Sequence, residues 1–152
     1  MLFIGLTTHV LGAVVWIGGM FFAYVVLRPS SGPLEQNVRL ALWSRVLSRF
    51  FLWVWISVAA LLISGVGLVA LGGGGSPMIG SFVPIMMVLG LVMVAIYARV
   101  YFAPWRGLRR AVSAADWPAA DQCLQKIRRL VGVNLILGLI TVAVGVSALL
   151  YG

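Results

Sequence analysis

The chain carries one histidine, His9, within HVLGAVVWIGG at residues 9–19, inside an apolar run from Met1 to Leu27. An imidazole is costly in lipid and its presence there points to a binding role. Two ligand chemistries suit it: a soft metal ion, or the axial position of haem iron. The structural alternative is a neutral ring bonded to Ser64 or to a backbone carbonyl. Methionines at Met20, Met86, Met87 and Met93 supply thioethers in other apolar stretches. Imidazole and thioether donors together suit Cu(I), which tolerates low coordination and needs no carboxylate. The only acids, Glu35, Asp116 and Asp121, stand outside those stretches, so neither a carboxylate proton relay nor a hard-cation cage is expected. The chain has no catalytic triad, phosphate loop, zinc motif or carboxylate pair. Enzymatic activity would therefore rest on a bound cofactor.

The elements that must position these side chains follow from composition. Hydrophobic residues make up 62% of the sequence and charged residues 9%, against about 25% charged in a soluble domain. The 152 residues read as one all-helical transmembrane domain, a four-helix bundle with spans at about 2–27, 50–71, 79–102 and 130–151. Helices are expected because an open strand in lipid leaves its backbone unsatisfied. The first span lacks the basic start of a signal peptide and reads as a retained helix. Helical extensions are expected at about 34–49 and 117–129. Pro33 suits the start of the first, with an i,i+4 pair between Glu35 and Arg39, and Asp116 is placed to cap the second, with Pro118 in its first turn.

Every Lys and Arg lies near the first or third connection, while GGGGSP at 72–77 carries no charge. The positive-inside rule then puts connections 28–49 and 103–129 in the cytoplasm and both termini outside. Arg28, Arg45, Arg49, Lys126, Arg128 and Arg129 should meet anionic lipid headgroups, and the net charge of +8 reads as topology rather than nucleic-acid binding. Cys123 is the single cysteine, which excludes an intrachain disulfide; it reads as incidental.

Positions i, i+4, i+7 and i+11 share a helical face. His9, Ala13, Trp16 and Met20 form one such row, with Gly5, Gly12, Gly19 and Ala23 beside it as a close-approach face and a candidate homodimer contact. Ser57 and Ser64, with Trp53 below them, mark the inner face of the second helix. Met86, Gly90, Met93 and Tyr97 mark that of the third, and Asn134, Gly138, Thr141 and Gly145 that of the fourth. At a rise of about 1.5 Å per residue, Met86, Met87, Ser64 and residues 141–145 come to the depth of His9. Met20 and Met93 lie deeper, and Met78 stands at the outer mouth. The Cu(I) site expected from the residues is His9 and Met86, helped by Met87, Met20 and Met93. The alternative is haem b, with His9 as one axial ligand and Met86 or Met93 as the other.

The run HVLGAVVWIGGMFFAYVVLRP at 9–29, with SRFFLWVWISVAALLISG at 48–65 and KIRRLVGVNLILG at 126–138, resembles the CopD family of bacterial membrane proteins associated with copper resistance and copper uptake. The likeness implies that His9 is the family's histidine and that the function is copper handling across the inner membrane. The HemJ-type protoporphyrinogen oxidases have a similarly placed histidine followed by a Leu-Pro-Arg element. Here the chain reads FAYVVLRP at 22–29, so that activity is not carried over.

Overall fold

The computed structural model describes residues 1–70 and 77–151. Most of the glycine loop at 72–77 and the side chain of Met78 lie outside the described residues. Within them the fold is all-helical, and four helices are long and apolar enough to cross a membrane. We call them α1 (Leu2–Ser30), α2 (Gln36–Ala70), α3 (Pro77–Val100, continued through Tyr101–Trp105 and Arg106–Ser113) and α4 (Trp117–Tyr151). Helices α2 and α4 each have 35 residues, about 50 Å of rise against a hydrocarbon core of about 30 Å. Their charged ends therefore extend past the core, as expected of the two helical extensions.

Details at the helix ends differ from expectation. The helix α2 starts at Gln36, leaving Pro33 in the preceding turn. Arg39 reaches Asp121 at 3.6 Å rather than Glu35, which offers it only a backbone carbonyl for its amide. Asp116 does cap α4, its Oδ1 accepting from the Ala119 amide at 3.2 Å. The third helix outruns its expected end at 102 because Pro104 sits in a π-helical turn, Tyr101–Trp105, which absorbs the missing amide donor without ending the helix. A matching π segment, Phe22–Leu27, precedes Pro29 in α1, with the Arg28 amide donating five residues back to Ala23.

The helices form two antiparallel hairpins in tandem. In the first, Gly5 lies against Leu68, Gly12 against Leu61 and the Ser57 carbonyl, and Gly19 under the Phe50 ring. The glycine row is thus consumed within the chain by α2, and a homodimer would have to use another face. In the second hairpin Gly145 meets Met86, Gly138 meets Met93, and Gly107 meets the Sγ of half-buried Cys123. The hairpins join along α4: a Cβ at Gly138 would stand 3.0 Å from Ile17 of α1 and 3.2 Å from Met93 of α3. They join again through an aromatic cluster around Phe51, whose carbonyl accepts from the Tyr97 hydroxyl at 3.0 Å and whose ring meets Tyr97, Tyr101 and Trp105 edge-on. Trp53 is 58% exposed and turns away from the bundle, so the inner face of α2 is carried by Ser57, Ser64, Phe51 and Val54 instead. Phe3, Ile63 and Val66 are likewise exposed, as apolar side chains are when lipid is their solvent.

The shared contact at Gly138 yields a paired expectation. Gly138→Val should destabilise the bundle by about 1–3 kcal/mol, the usual cost of overpacking. Gly18→Ala should be nearly neutral, because nothing lies within 4 Å of the added carbon. Thermal unfolding of both variants in detergent checks this, and equal shifts would remove the seam from its proposed place.

Candidate metal site

Helix α1 presents His9 to α2 rather than to the centre of the bundle. The ring lies over Gly65, where an added Cβ would stand in ordinary contact with Cε1 at 3.4 Å. Its Nδ1 is 3.0 Å from Ser64 Oγ, whose shortest contact is the Ala60 carbonyl at 2.6 Å. With the serine proton on that carbonyl, the serine oxygen accepts and Nδ1 donates, the tautomer that leaves the Nε2 lone pair free. A hydrogen bond that orients the ring through one nitrogen and frees the other is the usual support of a metal-binding histidine.

The thioethers gather elsewhere, along the inner face of α4. Asn134 donates from Nδ2 to Met20 Sδ at 3.7 Å. One turn on, the Met93 methyl closes over Gly138, and its Sδ lies 3.9 Å from Thr141 Oγ1, whose proton goes to the Leu137 carbonyl at 2.8 Å. One turn further, Gly145 makes room for Met86, with an added Cβ standing 4.0 Å from its Sδ. Three sulfurs thus follow the stripe Asn134, Gly138, Thr141 and Gly145, over about 16 Å of helix rise. Met20, Met93, Trp16, Ser64 and Asn134 are buried and Met86 and Thr141 half-buried. The stripe expected from periodicity is therefore the bundle interior, and it is where the methionines meet.

Met87 is the exception among the expected ligands. It is 57% exposed, because one residue beyond Met86 is a rotation of about 100°, and its sulfur points out of the bundle. The packing also separates His9 from Met86 laterally. By the registers of the two hairpins they stand at one level, but His9 is turned to Ser64 and Gly65 of α2, and Met86 to Gly145 of α4.

The donors present fit a soft cation: three thioethers and one imidazole with a free nitrogen. No group of three or more His, Cys, Asp or Glu comes together among the described residues. The cleft bounded by Trp16, Met20, Tyr97 and Asn134 measures about 10 Å³, room for about one water molecule. The Asn134 Oδ1 is buried without a partner in the protein, and among the described residues it is the one orphaned polar atom on the thioether face.

The basic residues divide into two groups. Arg28, Arg45, Arg49, Lys126 and Arg129 are exposed, whereas Arg128 turns inward over the Trp43 ring at 4.9 Å. Sequence reasoning did not find this contact, nor the partnership of Arg39 with Asp121. Periodicity shows which face a residue occupies but not which distant helix it will meet.

The tautomer can be tested directly. Nitrogen NMR of histidine-labelled protein should show Nδ1 protonated and Nε2 bare. Ser64→Ala, which removes the acceptor, should destabilise the fold by about 0.5–1.5 kcal/mol and disturb that assignment. A wild-type ring protonated on Nε2 would remove His9 from the ligand set.

A family model described as Copper resistance protein D matches residues 44–150. The match takes in most of α2, all of α3 and all but the last residue of α4, with Met86, Met93, Asn134 and Thr141; His9 and Met20, on α1, precede it. No curated protein and no solved structure matches the chain. With the family match spanning well over half of its length and four helices fit to cross a bilayer, this multi-pass membrane protein belongs to the CopD family of copper resistance proteins.

Proposed function

We propose that the protein binds Cu(I) inside the bundle and handles it across a bacterial inner membrane, both termini facing outside, with the thioethers of Met86, Met93 and Met20 as successive contacts. The observation that carries this reading is the line of three sulfurs along the inner face of α4. Thioethers bind Cu(I) weakly one at a time, and sulfurs spaced along a helix let an ion exchange partners without shedding its whole shell into lipid. Two of the three, Met86 and Met93, lie within the family-matched residues.

In this reading His9 stands at the outer level with its Nε2 free, at the depth of Met86 but turned to α2. It is the one donor whose affinity depends on protonation. Copper here is cargo, and its passage needs no redox step or covalent change. Asn134 and Thr141 hold the flanking side chains at their stations: the amide of Asn134 meets the Met20 sulfur, and the hydroxyl of Thr141 abuts that of Met93.

Replacing Met93 or Met86 by leucine exchanges sulfur for carbon at nearly constant volume. Loss of even an outer-shell partner costs about 10–100-fold in metal affinity, so either change should weaken Cu(I) binding by at least about tenfold. Met87→Leu should leave it unchanged. Competition against a Cu(I) chelator, with purified protein in detergent, measures all three, and indistinguishable affinities would overturn the thioether row. His9→Ala should lower affinity or stoichiometry, and a variant that binds as before would take His9 out of the site.

A further inference from the structure

The cytoplasmic ends of α1 and α2 and the start of α4 bring Arg28 and Arg128 to one cleft, with Arg39 near Arg128. Arg28 lies over the Tyr24 ring at 5.0 Å and Arg128 over the Trp43 ring at 4.9 Å. Arg28 and Arg39 are both within electrostatic reach of Arg128, and Asp121 is the one carboxylate that faces it. That carboxylate is shared, since it also meets Arg39 at 3.6 Å. One acid among three arginines leaves an excess of positive charge in a partly desolvated place. The Nε atoms of Arg39 and Arg128 are buried and have no hydrogen-bond partner in the protein.

The walls of the cleft are built rather than incidental. Trp43 is 3% exposed and donates from Nε1 to Ser31 Oγ at 3.0 Å, while Ser31 donates in turn to the Arg28 carbonyl at 3.1 Å. Tyr24 packs on Gly132 of α4, where any Cβ would come within 2.9 Å of its ring. Tyr24, Arg28, Trp43, Phe50 and Arg128 line one cleft. Its level is the boundary of the apolar core: Arg28 follows the first apolar run, and Phe50 and Leu130 open the second and fourth. Aromatic stacking fixes guanidinium planes and leaves their edges to donate, the arrangement that suits a phosphate oxyanion.

We propose that Arg28, Arg39 and Arg128 form a phosphate-binding site between α1, α2 and α4, distinct from Arg45, Arg49, Lys126 and Arg129. The oxyanion is that of a lipid headgroup or of soluble phosphate, and it supplies acceptors for the unpaired N–H groups and the counter-charge that Asp121 alone does not. This site is independent of the copper reading.

The test uses the full chain in dodecyl maltoside without copper. Its thermal midpoint is followed on addition of phosphatidylglycerol, of diolein, of inorganic phosphate, and of sodium chloride at matched ionic strength. Phosphatidylglycerol should raise the midpoint by several degrees and remain attached to the protein in native mass spectrometry. A rise with inorganic phosphate alone would assign the soluble source, and a rise with phosphatidylglycerol only would assign the lipid. Arg128→Gln should lose most of the response and Arg129→Gln, its exposed neighbour, should keep it. Arg28→Gln, an exposed position, serves as the second variant should Arg128→Gln fail to fold. The site is overturned if phosphate-bearing ligands do no more than diolein or salt, or if the Arg129 variant responds as the cleft variants do.

Discussion

Gly138 is the point on which both hairpins close. Ile17 arrives from α1 and Met93 from α3, each close enough that a Cβ on α4 would crowd it. In lipid there is no hydrophobic gain from bringing helices together, so contact must come from close fit and hydrogen bonding. That seam explains why the interior of α4 alternates small and polar residues rather than large apolar ones. It also fixes the register in which Met20 meets Asn134 and Met93 meets Thr141.

The two halves of the bundle solve the packing problem differently. Towards the glycine-loop end, small residues and thioethers fill the space: Gly5 on Leu68, His9 on Gly65, Met86 on Gly145. Towards the basic end, rings fill it, with Phe51 at the centre of Tyr97, Tyr101 and Trp105, and Trp16 edge-on to Tyr97. Rings with hydrogen-bonded heads, such as Tyr97 on the Phe51 carbonyl, make a firm base. Flexible thioethers above it can shift partners at little cost. The π turns of α1 and α3 lie at the firm end, where they carry the chain past Pro29 and Pro104 without breaking the helices.

Much of this was legible in the residues. The lengths of the apolar runs identify four helices, and the 3.6-residue period identifies Trp16, Ser64, Asn134 and Thr141 as interior. The differences share one origin. Depth alone groups Met87 with Met86, although adjacent residues on a helix point about 100° apart. Local spacing pairs Arg39 with Glu35, although Asp121 on another helix is the partner it reaches. Small residues suit the glycine row of α1 to a second copy, although α2 of the same chain lies against it.

The sequence by itself determined the helices, their apolar faces and the segregation of charge, because helical period and the cost of polar groups in lipid act locally along the chain. Only the tertiary structure decided which sulfur meets which polar group, that His9 rests on Ser64 and Gly65 rather than beside Met86, and that Arg28 and Arg128 share a cleft. Those outcomes depend on the lateral order of the helices. That order is set by contacts such as Gly138 with Ile17 and Met93, made between segments far apart in the chain.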